Sequence, residues 1–157
     1  MARVLIVGCG CRGQALAASL SDHAVRGTSR SPERVGELGA AGIEGVVADP
    51  DRLGTLVPAL AGVSVVCWLM GTALGSPQLH GERLQTFVEH LVDTPVRGLV
   101  YEAGGTVAPE LLEQGAEIVL GGSRVWHIRG EVVSADPAAL PDWLEAMTAA
   151  IDRILSA

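Results

Sequence analysis

The chain has 157 residues, of which 48% are hydrophobic, and its formal net charge is −7 at pH 7. This length and apolar content suffice for one core, so we predict a single domain over residues 1–157. An acidic chain whose 11 cations are dispersed lacks the basic surface of a nucleic-acid-binding protein. We therefore predict small-molecule partners and no nucleic acid.

Membrane and secretory segments are not expected. Residues 56–70 form the most apolar stretch, but Pro58 and Gly62 interrupt it, and it is too short to span a bilayer. The apolar run at the N-terminus has no preceding basic region and no cleavage site, which favours a strand over a signal peptide. These features predict a cytoplasmic protein. Three cysteines indicate reduced thiols, and Cys9 and Cys11 lack a second pair of soft ligands, so no metal site is predicted.

A glycine-rich loop is the first motif of the chain. From Arg3 the sequence reads RVLIVGCGCRG, an apolar run that leads into G-x-G-x-x-G and then into a helix-like pattern. In such a loop Gly8 permits a tight turn, Gly10 lets the backbone approach a pyrophosphate, and Gly13 lets the helix pack closely. The pyrophosphate would sit at the helix N-terminus, near free N–H groups. The motif therefore predicts a dinucleotide-binding βαβ unit.

The end of the predicted second strand indicates which dinucleotide is preferred. An acidic residue there would accept hydrogen bonds from a ribose 2′-OH, but the chain has Thr28, Ser29 and Arg30. Hydroxyls and a guanidinium suit a 2′-phosphate, so we predict NADP over NAD. Arg12 is predicted to add positive charge near this phosphate or the pyrophosphate. The structural alternative is that Arg30 is only a loop residue, while Ser31 caps the next helix.

The rest of the chain alternates predicted strands with predicted helices, which is typical of a doubly wound α/β sheet. We expect the strand order 3-2-1-4-5-6, with helices on both faces. Helical patterns cover residues 31–42, 51–61, 77–92, 107–115 and 140–155, and strand patterns cover 44–49, 63–71 and 98–103. Two or three further strand-like runs lie between Glu117 and Ser134, and residues 126–129 alternate as a strand would. Cys67, within the fourth strand pattern, is predicted to be a core residue.

The order of these motifs resembles the atypical short-chain dehydrogenases and their NAD(P)-binding epimerase and reductase relatives. The similarity covers residues 1–105 and includes the glycine loop, VRGTSRSPE, VVADP and the apolar fourth strand. It implies a Rossmann fold that binds a dinucleotide outside the carboxyl ends of the strands. By this resemblance, the pyrophosphate would be surrounded by Gly8, Gly10, Cys11, Arg12 and Gly13, and the adenosine phosphate by Ser29 and Arg30. Asp49 would lie at the adenine edge, and Met70 and Gly71 would flank the adenine ribose. Tyr101 and Glu102 would lie near the nicotinamide end.

The chain departs from that family at the active site. Catalytic members use a tyrosine followed four residues later by a lysine, which lowers the tyrosine pKa and holds the nicotinamide ribose. This chain has no lysine, and its single tyrosine, Tyr101, is followed four places later by Gly105. Arginine is a poor substitute because it is permanently charged and has a different reach. The usual catalytic pair is therefore absent from the sequence.

Two residues remain as candidates for proton chemistry. His80 is a candidate general acid near neutral pH, and Tyr101 is a candidate hydroxyl donor to a substrate. The structural alternatives are an exposed first-turn helix residue for His80 and a core tyrosine with a hydrogen-bonded tip for Tyr101.

Two functions therefore stay open. The favoured one is an NADP(H)-binding or sensor-type module without chemistry. The alternative is a small NADPH-dependent oxidoreductase that acts on a carbonyl-type substrate. The apolar stripe of the last helix either covers the sheet or forms a homodimer interface.

Overall fold

Strands and helices alternate along the whole chain in the computed structural model, which describes residues 2–157. The strands are β1 (Arg3–Val7), β2 (Ala24–Ser29), β3 (Glu44–Val47), β4 (Val65–Trp68), β5 (Gly98–Glu102) and β6 (Arg129–Val133). The α-helices are α1 (Cys11–Ala18), α2 (Pro32–Ala40), α3 (Glu82–Leu91), α4 (Pro109–Trp126) and α5 (Leu140–Leu155). Short 3₁₀ helices cover Leu53–Thr55, Val57–Leu60 and Pro77–His80.

The strands form one six-stranded parallel sheet in the order β3-β2-β1-β4-β5-β6. This confirms the predicted doubly wound α/β fold. The central strands β1 and β4 pair from Val4 with Val65 to Val7 with Trp68, and both are almost entirely apolar because helices cover both of their faces. The strand order reverses between β1 and β4, which is where ligands bind in open α/β sheets.

Two apolar layers fill the space between the sheet and its helices. On one face, α1, α2 and α5 pack on β1 and β4, and Trp143, Met147 and Ile151 of α5 are completely buried in this layer. On the other face, α3, α4 and the 3₁₀ segments pack around Trp68 and Phe87. The apolar stripe of α5 thus covers the sheet, and a homodimer interface stays a prediction.

Residues 117–134 differ from the predicted arrangement. They contain a single strand, β6, because α4 continues to Trp126 instead of ending near residue 115. The apolar run after Glu117 extends a helical face, on which the buried residues are Leu112, Gly115, Val119 and Gly122. Of the predicted strand over 126–129, only Arg129 belongs to β6. Trp126 is the last residue of α4, and His127 adopts a left-handed conformation with φ 59° and ends the helix.

Two smaller features complete the fold. The helical pattern over 51–61 forms two 3₁₀ helices instead of one α-helix, and Pro58 explains the interruption because it has no backbone N–H to donate. Within residues 2–157, none of the helices is both long enough and apolar enough to cross a membrane.

Candidate functional site

The glycine loop joins β1 to α1 at the carboxyl edge of the sheet. Gly8 has φ +82°, in the left-handed region that favours glycine, and a Cβ at this position would lie 2.9 Å from the Leu69 carbonyl oxygen. A Cβ on Gly13 would lie 3.1 Å from Cys9 Sγ, so α1 packs tightly against the loop. A Cβ on Gly10 would meet nothing within 4 Å. Gly8 thus fits the tight turn and Gly13 the close helix packing that the motif requires, while Gly10 leaves space for a phosphate to approach the backbone.

The first turn of α1 presents backbone donors beside this opening. The first i→i−4 bond of the helix runs from Gln14 N–H to Gly10 O at 2.9 Å. Helix geometry leaves the amides before it, those of Cys11, Arg12 and Gly13, without an intrahelical acceptor. An anion at this point would also be stabilised by the positive end of the helix dipole.

Thr28 holds the loop against β2. Its Oγ1 accepts a hydrogen bond from Gly8 N–H at 3.1 Å, and its carbonyl oxygen accepts one from Cys9 N–H at 2.9 Å. Because Thr28 is only 1% exposed, its hydroxyl shapes the loop from beneath. A contact between Thr28 and a bound phosphate stays a prediction.

One cavity gathers most of the predicted binding residues. It has a volume of about 440 Å³ and lies over the carboxyl ends of β1, β2 and β3 and beside the segment after β4. Eight residues that the sequence predicted to bind the cofactor line it: Gly8, Gly10, Arg12, Thr28, Ser29, Arg30, Asp49 and Met70. Cys11, Gly13 and Gly71 do not line it. Arg34 and Asp51 do, although the sequence reasoning missed both.

The charged side chains of this cavity differ in whether other groups of the chain already bind them. Arg30 and Arg34 are exposed, and neither forms an ion pair with the part of the chain that the structure describes, residues 2–157. Asp49 Oδ1 accepts from Asp51 N–H at 2.9 Å, and the Asp51 carboxylate accepts from Gln78 Nε2 at 2.8 Å. The cavity therefore offers uncommitted guanidinium groups beside carboxylates that hold loops together.

The cap of α2 explains how two arginines come to the same cavity. Ser31 Oγ accepts a hydrogen bond from Arg34 N–H at 3.3 Å, and Pro32 occupies the first helical position. The predicted cap is thus confirmed, and it leaves the side chain of Arg30 free. Arg34 follows Arg30 by four residues across this cap, a spacing that the sequence already contained.

Arg12 pairs with a carboxylate at the end of β5. Its Nε and Nη2 each donate to Glu102 at 2.7 Å, and Nη2 also donates to the Leu69 carbonyl oxygen at 3.2 Å. Glu102 is 0% exposed, and its Oε1 accepts a further hydrogen bond from Gly71 N–H at 2.9 Å. A buried carboxylate requires such partners. Arg12 was predicted to bring positive charge to a phosphate, but here its charge is balanced by Glu102.

His80 and Tyr101 form a second buried pair, on the opposite face of the sheet from Glu102. The Tyr101 hydroxyl contacts His80 Nδ1 at 2.5 Å, and His80 Nε2 lies 3.1 Å from the Met70 carbonyl oxygen. A carbonyl oxygen only accepts, so Nε2 donates to it and Nδ1 accepts from the tyrosine. Burial lowers the pKa of His80 and raises the pKa of Tyr101. Both side chains are therefore neutral near pH 7.

The burial of His80 and Tyr101 tests the structural alternative that the sequence offered for each residue. His80 and Tyr101 are both 0% exposed, and neither lines the 440 Å³ cavity. An exposed first-turn position for His80 was therefore wrong, because the histidine ring packs inward under the segment after β4. Tyr101 is a core tyrosine with a hydrogen-bonded tip.

Two of the three cysteines are packed as small apolar side chains. Cys67 is fully buried in β4, which confirms the predicted core position. Burial raises the pKa of the Cys9 thiol to about 11, so this group is protonated under the glycine loop at neutral pH. Cys11 is exposed.

Comparison with known proteins now places this fold. No protein-family model matches the chain, and no curated protein matches it in sequence. Solved structures do match. The fold is that of short-chain dehydrogenase/reductase and epimerase structures that bind NAD or NADP.

Three of these structures show the extent of the similarity. A short-chain dehydrogenase/reductase superfamily protein from Agrobacterium tumefaciens with bound NAD has 20% identity and a TM-score of 0.66 over 84% of this chain and 48% of its own. Triphenylmethane reductase from Citrobacter sp., complexed with NADP(H), has 18% identity and a TM-score of 0.67 over 84% and 48%. UDP-glucuronic acid 4-epimerase from Bacillus cereus, with UDP-glucuronic acid and NAD, has 15% identity and a TM-score of 0.66 over 84% and 55%. The chain thus spans about half the length of these proteins.

Proposed function

We propose that this protein is an NADP(H)-binding Rossmann module that acts as a cofactor-binding or sensor-type protein. The observation that carries the proposal is the 440 Å³ cavity at the reversal of strand order, which joins the open space above Gly10 to the guanidinium groups of Arg30 and Arg34. An opening beside helix amides suits a pyrophosphate, and arginines at the end of β2 suit a 2′-phosphate.

The residues present fit such a cofactor. The amides of Cys11, Arg12 and Gly13 would hold the pyrophosphate. Ser29 and Arg30, together with Arg34, would surround the 2′-phosphate. Asp49 would lie at the adenine edge, and Met70 and Gly71 would lie near the adenine ribose. A bound nicotinamide supplies a hydride donor or acceptor, and the protein determines what that group can reach.

The alternative function is a small NADPH-dependent oxidoreductase that acts on a carbonyl-type substrate. The extension of the cavity along Thr72, Ala73 and Ser76 favours it, because this segment could line a substrate site. The hydrogen bonds of the candidate catalytic residues His80 and Tyr101 favour the binding module, since both groups are satisfied within the core. Oxidation of NADPH in the presence of carbonyl compounds would support the enzyme.

The proposal is tested by calorimetric titration of the protein with NADPH and NADH. We expect NADPH to bind more tightly. Arg30→Ala should weaken NADPH binding about tenfold or more, the loss expected for a charged hydrogen bond, and change NADH binding little. Arg124→Ala, which removes an exposed arginine from the last turn of α4, is the matched control and should change neither. If neither NADPH nor NADH binds, the proposal is contradicted.

Location and assembly are separate parts of the proposal. For the location, we propose the cytoplasm. A homodimer would need apolar surface beyond the stripe of α5 that covers the sheet, and light scattering of the purified protein tests it.

A further inference from the structure

The edge of the sheet that would receive a dinucleotide is divided by a wall between β4 and β5. A dinucleotide in a Rossmann fold lies across the crevice where the strand order reverses, with one mononucleotide over each half of the sheet. The 440 Å³ cavity is open over the first half, β1–β3, and continues along the segment that follows β4. The rest of the second half, over the ends of β5 and β6, is reached only past the segments that follow β4 and β5.

The wall has two parts, and the first is the buried ion pair. Glu102, the last residue of β5, receives two hydrogen bonds from Arg12 and one from Gly71 N–H, and it is 0% exposed. These hydrogen bonds join α1 to β5, and the segment after β4 to β5. Displacing this pair would leave a carboxylate buried without a partner, which is costly.

The second part of the wall is a backbone contact. Val107 N–H donates to the Gly71 carbonyl oxygen at 3.0 Å, so the segment after β5 is tied to the segment after β4. A Cβ added to Gly71 would collide with the carbonyl oxygen of Gly104, and one added to Gly105 would collide with Gly71. The two segments therefore touch through backbone atoms, with no room for a ring between them.

A separate cavity lies beyond the wall. It has a volume of about 410 Å³ over the ends of β5 and β6, and its lining includes Gly104, Gly105, Leu112 and Ser134. The two cavities share no lining residue. A ligand that extended from the first cavity into the second would have to cross the wall that separates them.

We infer that the first cavity binds the 2′-phosphorylated adenosine half of its ligand alone and leaves the nicotinamide end outside the sheet edge. The inference rests on the proposed function and specifies it further. Binding then depends on groups that NADP+, NADPH and adenosine 2′,5′-bisphosphate share. The protein responds to the total amount of these nucleotides and is insensitive to their redox state.

Calorimetry of the full chain with four ligands tests the inference. We expect NADP+, NADPH and adenosine 2′,5′-bisphosphate to bind with dissociation constants within about threefold of one another, and nicotinamide mononucleotide not to bind. The inference is overturned if the bisphosphate binds about tenfold or more weakly than NADPH, or if NADP+ and NADPH differ by that factor. In both of these outcomes the proposed function survives. If none of the phosphorylated adenosine ligands binds, the proposed function fails as well.

A substitution beyond the wall gives an independent control. Ser134 is exposed and lines the second cavity, so Ser134→Phe would obstruct a nicotinamide that entered there. We expect this variant to bind NADPH and the bisphosphate as the wild type does. Loss of NADPH affinity with unchanged affinity for the bisphosphate would overturn the inference, because it would place the nicotinamide in the second cavity.

Discussion

The two sides of the carboxyl sheet edge use their charged groups in opposite ways. Over β1–β3, Arg30 and Arg34 stand at an open cavity without an ion-pair partner among residues 2–157. Between β4 and β5, Arg12 and Glu102 are committed to each other and to backbone groups. Polar residues at one edge of the sheet thus serve two purposes: some hold the loops together, and others stay free of partners within the chain and are open to a ligand.

The largest effect on stability is expected from breaking the ion pair between Arg12 and Glu102. Arg12→Ala leaves Glu102 buried without its charged partner, so we expect the free energy of unfolding to fall by about 3–5 kcal/mol. Chemical denaturation measures this loss. The double variant Arg12→Met/Glu102→Leu removes both charges together and should recover most of the stability. Equal losses in the single and double variants would contradict the assigned role of the ion pair.

A smaller loss of stability is expected when the buried pair of His80 and Tyr101 is broken. Tyr101→Phe removes the donor to His80 Nδ1 and leaves that buried nitrogen unsatisfied, at a cost of about 1–3 kcal/mol in the free energy of unfolding. Affinity for NADPH should stay unchanged because Tyr101 does not line the cavity. Denaturation and calorimetry on one preparation measure both quantities. A selective loss of binding would instead support the ligand-contacting alternative for this tyrosine.

On the open side, a substitution should change affinity and leave the fold intact. Gly10→Ala adds a methyl group where the chain has no atom within 4 Å, so thermal stability should be preserved. The methyl group obstructs the approach of a pyrophosphate, and we expect NADPH affinity to fall about tenfold. Gly36→Ala in α2 also enters open space, away from the cavity, and is the matched control. If Gly10→Ala binds normally, the ligand does not cross the glycine loop.

The smallest effect is a pH dependence of stability that comes from His80. Burial lowers its pKa in the folded state below the ordinary value of 6.5, so below that pH the unfolded chain takes up a proton more readily than the native protein. The His80 contribution to stability is therefore present above pH 6.5 and is lost as the pH falls below it. Denaturation between pH 7.5 and 5 should show that His80→Gln removes part of this slope. His90→Gln, at an exposed site on α3, should retain it.

The features that could be predicted from the sequence depend on short segments. The turn at Gly8 and the cap at Ser31 involve residues within a few positions of each other, so their geometry follows from local preferences. The sheet order followed because strands and helices alternate regularly around a recognisable glycine loop. The same local information placed Ser29, Arg30 and Asp49 at one edge, where the structure finds a cavity.

The features that were missed depend on contacts between distant parts of the chain. Arg12 and Glu102 are 90 residues apart, so their pairing is not visible in a local pattern. A glutamate as the last residue of an apolar strand did carry a signal, because a buried carboxylate needs a cation. The length of α4 was missed because its apolar run also fits a strand, and only its packing on α3 and the sheet decides between the two.

The packing of α5 has a consequence for how the protein is made. Val4 and Val65 are early in the chain, yet the layer that covers them is completed by Trp143, Met147 and Ile151. During synthesis the central strands therefore leave the ribosome long before the helix that shields them. Contacts between such distant residues slow folding, and the exposed apolar strands are prone to aggregation meanwhile. The yield of folded protein should consequently depend on how quickly the last helix docks, even though none of its residues lines the 440 Å³ cavity.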